Sequence, residues 1–240
     1  EMPRPPATMA IAMIDKTAAL KATRAAPRVR RIVVVLILTL LIIPVGIVAV
    51  GSGTGLIPLP YEMFVLAERM PFVFRAHMVT SAIALLLIPA VIMVRHNPQR
   101  HRMLGRVVGA FVVAGGLTAL PVAIFSDSSL AARAGFFVQG LVWMALFARG
   151  ILAIRRGDRR AHVLFMVAMF AVTTGAVWFR VAIGTAIFFH LPFAPIYAAA
   201  AWFGWLIPLA LVLTMPALHS HLALDPLMIG SRALPSPRHA

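Results

Sequence analysis

This chain of 240 residues is too apolar for a soluble globular protein, since 61% of its residues are hydrophobic and 12% are charged. Soluble domains average about a quarter charged residues. The formal charge is +15, but the basic residues stand in short clusters between long apolar runs, which is typical of membrane proteins and argues against nucleic-acid binding. The absence of cysteine excludes disulfides, cysteine metal sites and thiol catalysis.

Six apolar runs are long enough to cross a bilayer, whose hydrocarbon core of about 30 Å requires about 20 helical residues. Each run predicts a helix, because a spanning backbone must satisfy its own hydrogen bonds in lipid. We read the first run as an uncleaved span and expect a short helix after Pro60, in the loop that follows it. The runs cover residues 32–50, 72–94, 104–125, 135–154, 162–187 and 195–218.

The distribution of Lys and Arg predicts the orientation of these spans. Eighteen lie in the two tails and in the second-to-third and fourth-to-fifth connections, against Arg69, Arg75 and Arg133 on the opposite side. Cytoplasmic loops are enriched in Lys and Arg. We therefore predict an all-α, six-span transmembrane bundle with both ends in the cytoplasm, placed in the bacterial cytoplasmic (inner) membrane. Its predicted parts are a basic cytoplasmic tail (1–31), a transmembrane domain (32–218) and a cytoplasmic tail (219–240).

The fifth span carries a stripe of polar and small residues. Its members recur every three or four residues and therefore share one helix face. Arg180 lies about 27 Å beyond His162 at 1.5 Å per residue, which places it near the outer interface. There it either snorkels to the headgroups or faces inward and binds an anionic group. The stripe consists of His162, Met166, Met169, Thr173, Ala176, Arg180 and Gly184.

Other spans carry polar residues at the same outer level as Arg180. These residues would line a shared polar pocket with His190 at its rim, or each would hydrogen-bond a neighbouring helix independently. They are His77, Thr80, Ser81, Thr118 and Gln139. In the third span, Gly105, Gly109 and Gly116 share a face that would let another helix approach closely.

A second group of candidate residues lies on the cytoplasmic side. His101, Arg102 and Arg106 open the third span, and Arg160 and His162 open the fifth. Helix N-termini favour anions, and arginine binds phosphate and carboxylate through two parallel hydrogen bonds. The simpler interpretation is that the arginines only anchor the topology. The two hairpins also match in sequence, since Arg95, Arg100 and Leu104 have the spacing of Arg155, Arg160 and Leu164.

The stretch from His77 to Arg180 resembles a bacterial membrane-protein family known as domain of unknown function number 2306. The resemblance rests on His77, on His101-Arg102-x-x-Gly105-Arg106, on Arg155-Arg156, on His162 with Met166, and on Arg180. The chain departs from the family pattern at Phe165 and Ala168, where the family tends to have Trp and Arg. The resemblance implies a topology and a set of residues, and it implies no activity.

Three functions are compatible with these residues. The first is binding of an anionic lipid or small anionic ligand by His77, His101, Arg102, Arg106, Arg160, His162 and Arg180. The second is transmembrane electron transfer by haem b, with His77 and His190 as an outer ligand pair and His101 and His162 as an inner pair. The third is an accessory subunit that packs against a membrane-complex partner or a second copy. We favour a non-enzymatic protein, because the sequence has no paired carboxylates, no nucleophile with a base and no metal-binding motif.

Overall fold

The computed structural model describes residues 39–59 and 61–214, apart from the side chains of Tyr61 and Glu62. Helix is the only regular structure in these ranges. The helices are α1 (Thr39–Thr54), α2 (Tyr61–Arg69), α3 (Pro71–Met93), α4 (Pro98–Phe125), α5 (Leu130–Arg155), α6 (Arg159–Thr173), α7 (Gly175–Phe188) and α8 (Phe193–Thr214). Helices α2 to α8 all belong to one compact unit.

Five helical segments among the described residues are long and apolar enough to cross a membrane. They are α3, α4, α5, the pair α6 and α7, and α8, with a mean hydropathy of 1.8 to 2.2 over their most apolar windows. This confirms the all-α, multi-pass class. Helix α1 is shorter, and residues 32–38 of the predicted first span lie outside the described residues, as do 1–31, 215–218 and 219–240. Helix α2 is the short helix expected after Pro60.

The helix starts follow from local chemistry. Pro71 and Pro98 occupy the first helical turns of α3 and α4, where a missing N–H costs no hydrogen bond. Three side chains cap the next helices by accepting a main-chain N–H, which satisfies a donor that has no partner inside the helix. These are Asn97 for α4, Ser129 for α5 and Asp158 for α6.

Helices α3 to α6 form the central bundle. They pack in sequence around a ring that closes between α6 and α3, so that α4 and α6 occupy diagonal positions. Helix α8 packs on α5 and α6, and α7 runs along α8. The core where these helices meet is built from Ala84, Ile88, Val108, Val112, Trp143, Met169, Val172 and Trp205.

Glycines set the closest approaches between helices. A Cβ on Gly109 would overlap the ring of Phe147, and one on Gly116 would overlap Met144, so that two members of the predicted glycine face receive large side chains of α5. Gly105, the third member, faces open space. The tightest main-chain approach is at Gly135 of α5, where a Cβ would lie 2.9 Å from the carbonyl oxygen of Ala201 on α8.

The fifth span is interrupted at Thr174, between α6 and α7. The hydroxyl groups of Thr173 and Thr174 donate to the carbonyl oxygens of Met169 and Ala171, at 2.8 and 2.7 Å. Such back-bonds bend helices. Gly175 follows, and a Cβ there would lie 2.7 Å from the amide nitrogen of Gln139. The stripe predicted on one continuous helix is therefore divided, with the His162 end on α6 and Arg180 on α7.

Candidate functional site

His77 is the centre of a small polar cluster between α3 and α4. Its Nδ1 lies 3.1 Å from the carbonyl oxygen of Gly115, and because a carbonyl only accepts, Nδ1 carries the proton and donates. The Oγ of Ser81 is 3.3 Å from the same nitrogen, and the hydroxyl of Thr118 donates to the same carbonyl at 3.1 Å. The His77 imidazole and the Thr118 hydroxyl thus share the Gly115 carbonyl as an acceptor, while the Ser81 hydroxyl contacts the imidazole.

Arg180 is half-buried on α7, near His77 and Tyr197. Its guanidinium donates one hydrogen bond, of 2.8 Å, to the carbonyl oxygen of Ala176 on its own helix. No carboxylate among the described side chains pairs with it, whereas Arg69 at the outer surface pairs with Asp127 at 2.7 Å. A half-buried cation inside a predicted span therefore retains donors that point to no described protein acceptor.

An aromatic cluster stands beside Arg180. The ring of Tyr197 on α8 meets Phe179 of α7 edge-on at a centroid distance of 5.0 Å and Phe136 of α5 at 5.9 Å. Phe193 lies 5.6 Å from the same ring. Edge-on packing of this kind is favourable and directional. The cluster fixes the ends of α5, α7 and α8 around the segment that carries Arg180.

The predicted outer pocket is only partly assembled. His77 and Thr118 converge on the Gly115 carbonyl, Ser81 contacts the His77 imidazole, and Arg180 lies near them. The Thr80 hydroxyl instead donates to Ala76 on its own helix. Gln139 donates to the carbonyl of Val172 at the end of α6. His190 is exposed beyond the end of α7, where it takes a positive φ of 54°.

The two histidines predicted to lie on the cytoplasmic side share one structural role. His101 is the fourth residue of α4, and its Nδ1 donates to the carbonyl of Val91 in α3 at 3.1 Å. His162 is the fourth residue of α6, and its Nδ1 donates to the carbonyl of Gly150 in α5 at 2.9 Å. Each imidazole therefore ties a helix start to the end of the preceding helix.

The hairpin repeat has a different register from the one that the arginine spacing suggests. The caps Asn97 and Asp158 are equivalent, as are His101 and His162, whereas the arginine spacing pairs Arg100 with Arg160. The equivalence is thus shifted by one residue. The repeated feature is a cap followed four residues later by a bonded histidine, and it is independent of the arginines.

The arginines predicted to lie on the cytoplasmic side do not form one enclosed site. The side chains of Arg102, Arg106 and Arg160 are exposed, and the Nε of Arg102 donates to the carbonyl of Pro98 at 3.2 Å. The starts of α4 and α6, which carry them, lie on diagonal helices of the bundle. Within the described ranges, no group of three or more His, Cys, Asp or Glu side chains could hold a metal ion.

Sequence reasoning missed three contributors to these sites. Tyr197 is one of only two tyrosines in the chain, and that rarity is a signal that could have found it. The Gly115 carbonyl could not be found from the sequence, because every residue has a main-chain carbonyl. The bond of 2.8 Å from the Trp143 indole to the Thr173 hydroxyl joins residues thirty positions apart, and nothing local predicts it.

Apolar helices that cross the bilayer several times, with polar side chains bonded inside the bundle, define an integral multi-pass α-helical membrane protein. The chain belongs to the family described as "Predicted membrane protein (DUF2306)", which matches residues 74–215. The resemblance drawn from His77 to Arg180 is thereby confirmed. No curated protein and no solved structure matches the chain.

Proposed function

We propose that this protein binds an anionic group within the membrane, with Arg180 as the principal cation and His77 beside it. The ligand is a small anion or the headgroup of an anionic lipid, since both offer the oxygen acceptors that a guanidinium binds. His101, Arg102, Arg106, Arg160 and His162 form the cytoplasmic end of the bundle and provide a secondary, exposed anion-binding surface.

The observation that carries this proposal is the bonding of Arg180. Ionisable residues in membrane spans are costly, and they usually pair with each other or mark a ligand pathway. Arg180 donates to one carbonyl of its own helix, and the acidic side chains that the structure describes are engaged or located elsewhere. An anionic ligand would supply the missing acceptors.

The topology belongs to the same proposal. We propose six spans with both ends in the cytoplasm of a bacterial inner membrane, with the transmembrane domain covering 32–218 between tails at 1–31 and 219–240. The excess of Lys and Arg in the connections α3–α4 and α5–α6 supports this orientation. It places Arg180 and Tyr197 in the outer half of the bilayer.

The proposal is tested by thermal unfolding of the detergent-purified protein with inorganic phosphate or with phosphatidylglycerol, against chloride or phosphatidylcholine at equal ionic strength. A ligand at about one hundred times its Kd stabilises a protein by about 2.7 kcal/mol. We expect one of the two probes to raise the melting temperature of the native protein and Arg180→Leu to abolish that rise. Stabilisation by phosphate indicates a soluble ligand, and stabilisation by phosphatidylglycerol alone indicates a lipid.

Arg75→Leu is the matched control, because it removes one positive charge from an exposed side chain of α3 on the same side of the protein. It should retain the full stabilisation. If Arg75→Leu and Arg180→Leu lost stabilisation equally, general surface charge would explain the stabilisation. The absence of stabilisation of the native protein by either probe would contradict the proposal.

Haem b binding is the second candidate, and one observation favours it. The Nδ1 atoms of His77, His101 and His162 each donate to a main-chain carbonyl, which is how metal-ligating histidines are commonly oriented, with Nε2 left to coordinate. An absorption spectrum of the protein purified from its native membrane, before and after dithionite, decides the matter. A Soret band with reduced α and β bands would establish haem and make His101 and His162 the first ligands to replace. A featureless spectrum of folded protein would exclude haem binding.

A further inference from the structure

The turn between α3 and α4 contains a groove of about 310 Å³ that none of the proposed sites uses. Its lining is divided by chemistry. Met93 and Val94 provide apolar surface at the end of α3, and His96, Asn97 and Arg100 provide polar surface at the turn and the start of α4. Met93 is 80% exposed, so its thioether chain is accessible along the groove.

The chain around this groove is rich in basic residues. The chain from Met93 to Arg106 contains four arginines and no acidic residue. The side chain of Arg100 is exposed and donates no hydrogen bond to another described residue. The hydrogen bond that Asn97 accepts comes from the main-chain N–H of Arg100. A guanidinium at the interface is thus free to bind a phosphate oxygen through two parallel hydrogen bonds.

We propose that this groove binds the headgroup of an anionic phospholipid, with the phosphate on Arg100 and the start of an acyl chain along Met93 and Val94. The occupant is a lipid and not a soluble anion because the apolar half of the lining continues directly into the span of α3, where acyl chains lie. Basic clusters beside a span attract anionic lipids by about 1 kcal/mol per residue. The proposal does not depend on Arg180, which lies on α7.

Native mass spectrometry of the protein released from mixed phosphatidylglycerol and phosphatidylcholine micelles tests the assignment. We expect the native protein to retain phosphatidylglycerol in preference to phosphatidylcholine, and Arg100→Gln to weaken that retention about fivefold, as expected for the loss of one interfacial arginine. Met93→Ser should weaken it as well, because it removes apolar surface without changing charge. Arg100→Gln should weaken it to the same extent in an Arg180→Leu background, since the groove does not include Arg180.

The matched control is Arg156→Gln, which removes the same charge from the turn between α5 and α6, where Arg156 is also exposed. Retention should persist in this variant. If Arg100→Gln and Arg156→Gln weakened lipid retention equally, the proposed groove site would be rejected, and diffuse surface charge would explain the retention. Displacement of the lipid by inorganic phosphate at equal ionic strength would also overturn it, since the site would then recognise a soluble anion. Melting temperatures in phosphatidylcholine confirm that each variant is folded.

Discussion

The imidazole Nδ1 of His162 donates a hydrogen bond of 2.9 Å to the carbonyl oxygen of Gly150 across the α5–α6 hairpin. His101 makes the corresponding bond to Val91 across the α3–α4 hairpin. The sequence suggested both histidines as candidate ligands. The structure gives each of them a role in holding a hairpin together, and that role accounts for one ring nitrogen and leaves the other free.

Replacement of His162 or His101 by alanine should lower the free energy of unfolding by about 0.5–1.5 kcal/mol, the usual net value of one hydrogen bond. The measurement is denaturant-induced unfolding in detergent. His190→Ala is the control, because His190 is exposed at the end of α7 and should leave the stability unchanged. If all three variants had the same free energy of unfolding, the hairpin hydrogen bonds would not contribute to stability.

Gly135→Ala should destabilise the protein by about 1–3 kcal/mol, the typical cost of overpacking. The added Cβ would lie 2.9 Å from the carbonyl oxygen of Ala201, and main-chain atoms cannot move aside as a flexible side chain can. Gly184→Ala provides the comparison, since its Cβ would meet nothing within 4 Å. The melting temperature should fall for Gly135→Ala and hold or rise for Gly184→Ala. The reverse order would contradict the close packing of α5 on α8.

Trp143 and Thr173 should be coupled in a double-mutant cycle. Trp143→Phe removes the indole N–H that donates to the Thr173 hydroxyl at 2.8 Å, and Thr173→Val removes the acceptor. We expect a coupling of about 0.5–1.5 kcal/mol in the free energy of unfolding. Additive effects would show that the bond contributes nothing to stability, even though both residues are buried.

The proposed orientation can be checked with single cysteines, because the chain has no native cysteine. Ser128→Cys lies in the turn between α4 and α5, and Arg156→Cys in the turn between α5 and α6. A membrane-impermeant maleimide added to intact spheroplasts should label Ser128→Cys at once and Arg156→Cys only after permeabilisation. The opposite labelling pattern would invert the topology, and labelling of both without permeabilisation would exclude a span between them.

The sequence predicted the spans well because hydropathy and length are strong local signals. The predicted run 72–94 became Pro71–Met93, and the run 104–125 began earlier, at Pro98, because Asn97 and Pro98 start the helix ahead of its apolar part. The division of the fifth span has no hydropathy signal. The back-bonds of Thr173 and Thr174 accompany it, and so do contacts from Gln139 and Trp143 of α5, which join distant residues and leave no periodic trace.

The candidate site was predicted less completely than the spans. Depth along each helix predicted that His77 and Arg180 share a level, and this stays a prediction. The same argument also grouped Gln139 and Thr80 with them, and both donate elsewhere. Depth gives the height of a side chain and not the direction in which it points, since direction depends on helix rotation and on the partners available.

The interruption at Thr174 has a mechanical consequence. A single straight helix of thirty residues would be stiff, so that a rotation at one end would be transmitted to the other. The two shorter helices instead pack on different neighbours, since α6 packs on α5 and α8 while α7 packs chiefly on α8. A displacement of α7 along α8 therefore need not be transmitted through α6 to the hairpin that His162 holds together.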